Sequence, residues 1–166
     1  MKAIGCILVI ISTTTTGFYL SAVLKRKMML FNQLALFVGN ISSNIRYCAN
    51  DVYSVLHQEY TNADVPFVGT TLKNLKDGYN MSESWSMSVD SINFNYGLSK
   101  ADKDIIKQFG YKLGATDVEG QTDHCEYFKD VFENKAKELK VEYSEKAKVY
   151  RSLGLFSGLA LVIVML

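Results

Sequence analysis

The longest charge-free stretch of this chain, residues 3–24, lies near one end, and a second apolar stretch without charge, residues 152–166, lies at the other. The first reads "AIGCILVIISTTTTGFYLSAVL". As a helix it is ~33 Å long, against a bilayer hydrocarbon core of ~30 Å. Its four threonines lower its hydrophobicity, but in a helix each hydroxyl can donate to a carbonyl one turn back. Apart from Lys2, all the charge therefore lies between two apolar ends. A soluble domain rarely ends that way, and the pattern predicts a body tethered to a membrane at both ends.

Charge flanks orient the ends. Lys25, Arg26 and Lys27 follow the first stretch, and only Lys2 precedes it. A cleaved signal peptide has its basic residues in front and a small-residue cleavage site behind, and "LSA" at 20–22 is a weak version of such a site. The reading is a retained anchor with residues 25 onward in the cytoplasm. Lys146, Lys148 and Arg151 likewise precede the second stretch, so both flanks predict a hairpin around a cytoplasmic domain. The expected division is an N-terminal transmembrane helix over 1–24, a helical bundle over 25–150 and a C-terminal membrane segment over 151–166. The last of these gives only ~22 Å of helix. It either spans with local thinning or packs on the first anchor. Gly154 and Gly158 lie one turn apart on one face, and Thr13 and Gly17 form a similar pair in the first anchor. Small residues at that spacing allow close helix pairing, though such patterns are also common in apolar helices generally.

The chain between reads as all-α, a helical bundle whose two long helices continue into the membrane segments. Residues 28–60 predict one helix with a seam of Leu34, Val38, Ile41, Ile45, Cys48, Val52 and Val55. The seam buries into the domain's own core or, less simply, into a partner coiled coil. Asp64 is the expected cap of a next helix, with Pro66 in its first turn and Gly78 past its end. Ser82 is the expected cap of another, whose Trp85, Val89 and Ile92 share a face. Ser99 with Asp102 predicts a capping box, with Leu98 stapled to the turn behind it. Ile105, Ile106, Phe109 and Leu113 form the buried face of that helix, and Gly114 ends it. Thr116 with Glu119 is a second expected box. It opens a last long helix whose stripe is Phe128, Phe132, Ala136, Leu139, Tyr143, Ala147 and Tyr150, turning every ~3.67 residues. Glu133 with Lys137 and Glu142 with Lys146 support its outer face.

Catalytic and cofactor signatures are missing. Lys and Arg number 18 against 17 Asp and Glu, a net charge of +1, so no long-range field favours nucleic acid. Cys6, Cys48 and Cys125 are odd in number and far apart, which reads as reduced thiols. "DHCE" at 123–126 holds ligand residue types, but neighbouring helical residues point apart and match no metal spacing. No phosphate loop or nucleophile elbow is present. The expectation is a protein with no catalytic, cofactor or metal residues, working through protein and lipid partners.

"STTTTGF" (12–18), "NIRY" (44–47), "FGYKLGATDVEGQ" (109–121) and "YRSLGLFSGLALVIVML" (150–166) stand in an order and spacing that resembles the stage III sporulation protein AB family of endospore-forming bacteria. The likeness runs the full length. It is weakest over about 60–95, where the family often has a more regular Leu- and Glu-rich helix and this chain has Ser, Asn and aromatics. The resemblance implies a non-enzymatic membrane component of the channel between mother cell and forespore. It implies a mother-cell membrane location, with the soluble part in the mother-cell cytoplasm. Its helical bundle would be similar to the cytoplasmic domains of type II secretion platform proteins. The implied partners are a cytoplasmic secretion-type ATPase, stage III sporulation protein AA, and the other channel subunits, with a homo-oligomer left open. On that reading the turn carrying Asp117, Glu119 and Gln121 is a candidate docking face, while the capping rules alone give Glu119 and Asp117 a purely local role. Other classes stand beside it: a passive structural subunit assembled through Gly154 and Gly158, a secretion platform outside sporulation, and a membrane-bound enzyme using Cys48 or Cys125.

Overall fold

The computed structural model describes residues 2–48, 52–62 and 65–165. Those residues form six α-helices and one 3-10 turn. Two helices dominate, α1 (Lys2–Cys48) and α6 (Val118–Met165). They run antiparallel: Gly17 meets Gly154 near one end and Arg46 pairs with Glu126 at 2.6 Å near the other. At 1.5 Å per residue each is ~70 Å long. Four short helices, α2 (Val52–Asn62), α3 (Val68–Lys76), α4 (Met81–Asp90) and α5 (Lys100–Lys112), pack against one side of this pair.

The buried part of α1 is wider than the single seam expected. Leu30, Phe31, Ala35 and Phe37 are buried beside Leu34, Val38, Ile41 and Ile45. The reason is geometric: α1 is covered by α6 on one side and by the short helices on another. The α6 stripe buries Phe128, Phe132, Ala136, Leu139 and Ala147, with Tyr143 and Tyr150 half-buried. Trp85 is the centre of the core. Phe67 and Phe109 meet it edge-on at 4.9 and 5.3 Å, Phe37 stacks at 6.4 Å, and its Nε1 donates to the Ile106 carbonyl at 2.8 Å. Gly110, in the last turn of α5, has no room for a Cβ because the Trp85 ring lies there. That close approach explains a glycine where any larger residue would meet the ring.

Three local expectations need correction. The helix expected over 28–60 is two helices: α1 ends at Cys48 and α2 starts at Val52. α2 turns back along α1, where its buried Glu59 accepts from Asn40 Nδ2 at 3.0 Å and Asn44 Nδ2 at 2.9 Å. A buried carboxylate must have donors, and these two amides supply them. Asn80, not Ser82, caps α4; its Oδ1 accepts from the Glu83 N–H at 2.9 Å. Asp117, not Thr116, caps α6, accepting from the Gly120 N–H at 3.0 Å. The expected cap Asp64 lies outside the described residues, and Pro66 stands in the turn before α3. The Ser99–Asp102 capping box of α5 is present with both of its bonds. Gly78 and Gly114 take the left-handed φ, 96° and 81°, that the expected helix ends require.

Candidate functional site

Above the short helices the two long helices continue alone, and their contact is made by small residues. A Cβ at Gly17 would lie 2.5 Å from the Tyr150 carbonyl oxygen and 3.2 Å from the Gly154 Cα. One at Gly154 would lie 2.7 Å from the Thr13 carbonyl oxygen, and one at Gly158 would lie 3.1 Å from the Ile10 Cα and overlap the Thr13 hydroxyl. Thr13, Gly17, Gly154 and Gly158 are thus brought to one crossing, and the apolar end of α6 lies along α1. Side chains pointing away from the crossing, among them Leu8, Ile11, Phe18, Leu153, Phe156 and Ile163, are exposed. In water such an apolar surface has no stable reason to exist; in lipid it is the expected outer skin. Thr13, Thr15 and Thr16 each return their hydroxyl to a carbonyl one turn back, at 2.7–3.1 Å, so their polarity is hidden from that skin. Among the described residues α1 is the helix long and apolar enough to cross a membrane.

Just below the crossing, one buried carboxylate ties three helices together. Asp102 Oδ2 lies 2.5 Å from Lys27 Nζ of α1, and its Oδ1 lies 4.0 Å from Lys135 Nζ of α6. The Ser99 hydroxyl and N–H also donate to Oδ2, at 2.6 and 2.8 Å. Burial alone pushes this carboxyl up, but the hydrogen bonds from Lys27 and Ser99 and the Lys27 charge outweigh it, and Asp102 stays below its ordinary value of 3.8. Lys27 reads in the sequence as a membrane-flanking charge; here it is largely spent inside the protein.

The far end holds the turn from α5 to α6. Gln121 is 3% exposed and fully engaged. Its Oε1 accepts from the Gly114 N–H at 3.0 Å, and its Nε2 donates to the Lys112 carbonyl at 2.8 Å and to Thr116 Oγ1 at 2.7 Å. It therefore holds the turn from within and does not face solvent as expected. Asp117 and Glu119 are exposed on the same turn. Of the "DHCE" residues, Asp123 and Glu126 are exposed, His124 stacks on Phe109 with its Nε2 2.8 Å from the Phe109 carbonyl oxygen, and Cys125 is fully buried. They do not converge, and no group of three candidate ligands occurs among the described residues. Burial pushes the Cys125 thiol up to about 12, with Glu126 adding to the effect, so no thiolate forms there near neutral pH. The Cys48 side chain lies outside the described residues.

The side of the α1–α6 pair facing away from the short helices is open. A groove of about 460 Å³ runs there, floored by Met28, Met29, Leu36 and Ala136 and edged by Lys137 and Lys140. Sequence reading missed it because Leu36 and Met29 lie off the buried seam and carry no motif.

The whole architecture can be set against known proteins. The family model described as Stage III sporulation protein AB matches residues 2–166. A curated relative, stage III sporulation protein AB of Bacillus subtilis (strain 168), is 22% identical over 171 residues, covering 100% of this chain and 99% of the relative. No solved structure matches. An all-helical body, two apolar ends laid together and a family model that runs the length of the chain lead to one assignment: the chain belongs to the stage III sporulation protein AB family.

Proposed function

We propose that this chain is a non-enzymatic membrane platform in the channel between mother cell and forespore, on which the cytoplasmic ATPase stage III sporulation protein AA acts. The observation that carries this reading is the pair of uninterrupted ~70 Å rods, each running from polar body to apolar end. A motor needs a part of the membrane assembly that does not yield. Helices without a break, cross-tied by Asp102 below the crossing and by Arg46–Glu126 at the far end, transmit position rather than absorb it. In this arrangement the α5–α6 turn lies at the end of the body remote from the apolar ends, where a cytoplasmic partner approaches freely. Exposed Asp117 and Glu119 are the proposed docking residues, with Gln121 as their internal support.

The test is a pull-down of the ATPase with the double variant Asp117→Asn and Glu119→Lys. Asparagine keeps the cap, so the helix start survives while the charge is lost. Binding is expected to fall about tenfold, equivalent to ~1.4 kcal/mol. Unchanged binding by a folded variant removes this turn from the docking surface.

A second reading is a passive structural subunit that makes no motor contact. It is favoured by the open groove of Met28, Met29 and Leu36, which suits a lateral neighbour. The glycines first considered for such assembly are occupied within the chain. The variant M29K/L36K separates the two readings: loss of complex assembly with ATPase binding intact favours the passive subunit.

A further inference from the structure

The 3-10 turn Phe94–Tyr96 reaches up the side of α1. Tyr19 Oη donates to Asn95 Oδ1 at 2.7 Å, and Arg26 Nη1 donates to the Asn95 carbonyl at 3.4 Å. Gly97, at φ 61°, lies directly against the Val23 side chain. Asn93 caps the turn by accepting the Asn95 N–H at 2.9 Å. These contacts set the height of the turn at about residues 19–23 of α1.

That height is inside the charge-free stretch of α1, which runs to Leu24. Irregular backbone facing lipid is not tolerated in hydrocarbon, because its N–H and C=O groups have no partners there. The membrane boundary on this side therefore lies at or above Tyr19. α6 gives the same height independently. Gly17 touches Tyr150, so the antiparallel register sets Lys148 and Arg151 beside the same turns of α1. Above that level, from Tyr19 to Lys2 and from Lys148 to Met165, each helix has about 26 Å left, which makes the two arms equal in length.

At this boundary stands Phe94, 81% exposed. A lone exposed phenylalanine on a soluble surface means little. Here it belongs to the sequence "NFNYG", aromatic and amide residues held level with Tyr19 and Tyr150, with Lys25 and Arg26 exposed on the next turn of α1. Aromatic and basic residues are what the headgroup region selects.

We propose that residues 93–97 form a third membrane contact, with the Phe94 ring seated in the headgroup–acyl boundary of the bilayer that holds α1. The inference rests on the reading of α1 as a membrane anchor. The short-helix layer is then fixed to the lipid surface at a second point, away from the axis of the rods, which stops it turning about them.

The full chain with Cys6→Ser and Cys48→Ser, Cys125 being buried and unreactive, carries one added thiol as F94C, I11C or Y111C. Each is labelled with an environment-sensitive fluorophore and reconstituted into phosphatidylcholine–phosphatidylglycerol vesicles. The expected result is a blue shift and about twofold quenching of the F94C label by lipids brominated near the headgroup. The I11C label should respond to deeply brominated lipids and the Y111C label to neither. A quenched I11C label with an F94C label as bright as that at Y111C leaves the anchor standing and overturns the third contact. An unquenched I11C label removes the anchor and the inference together.

Discussion

Asp102 shows most clearly how a single side chain holds this molecule together. It is 3% exposed and serves as capping residue, ion-pair partner of Lys27 and neighbour of Lys135 at once. Replacing it by asparagine leaves Lys27 without its counter-ion in a mostly buried place; breaking such a pair costs about 3 kcal/mol. Thermal unfolding of Asp102→Asn in detergent should show that loss. The carboxyl titrates below 3.8 in the folded protein, so its contribution is complete above that pH and disappears as pH falls through the lower folded value. The difference between wild type and Asp102→Asn should accordingly narrow in acid below pH 3.8 and be constant above it. Cys125 gives a second test at this scale. With its thiol pushed up to about 12, it should resist alkylation at pH 8 in the folded Cys6→Ser, Cys48→Ser protein and react once the chain is unfolded. Rapid labelling of the folded form would revive the thiol-enzyme reading. The residues beside Asp102 show how far such ties are legible. Ser99 three places before Asp102 announces the cap, but the Lys27 partner is 75 positions away and nothing local connects them.

Elements in this chain are joined by approach distance as much as by apolar area. The α1–α6 crossing is close because Gly17, Gly154 and Gly158 have no side chains to separate the backbones. Gly154→Leu forces the crossing apart, at about 1–3 kcal/mol for an overpacked contact. Double electron–electron distances between labels on residues 8 and 161 should lengthen by a few ångströms in that variant, while the short-helix body keeps its structure. An unchanged distance would show that the crossing does not depend on the glycine. Gln121 joins α5 to α6 differently, through three hydrogen bonds to the turn that follows the buried Leu113. Gln121→Ala should lower stability by about 1 kcal/mol, since it removes the acceptor of the Gly114 N–H and leaves the Lys112 carbonyl only the Ala115 N–H. The periodic stripes of α1 and α6 are readable because they repeat. The split between α1 and α2 is not, because the apolar spacing carries on across the junction and only the long-range bonds from Asn40 and Asn44 to Glu59 reveal the fold-back.

The whole molecule is a two-rod frame with a one-sided layer. α1 and α6 share a face from the body to the apolar ends, and α2–α5 cover only part of it. The exposed apolar skin from Ile7 to Leu20 and its partner on α6 are the reason to expect carbonate-resistant membrane association; release of the full chain into a salt or carbonate wash without detergent would contradict it. Among the described residues, the helix long and apolar enough to cross a membrane is α1. For α6 the apolar end is shorter, and it is the pairing with α1 that gives its inner face a protein partner.

Composition and periodicity alone determined that the chain is helical, that all its charge but Lys2 lies between two apolar ends, and that its long helices have buried stripes. Those properties depend on neighbours within one or two turns, which a sequence displays directly. The tertiary structure alone decided which surfaces face each other: that the glycines pair within the chain, that Gln121 is buried, that Trp85 fills the space Gly110 leaves, and that the turn at Phe94 stands level with Tyr19. The physical reason is that burial and hydrogen bonding between distant residues depend on how helices pack, and equal apolar spacings are compatible with several packings.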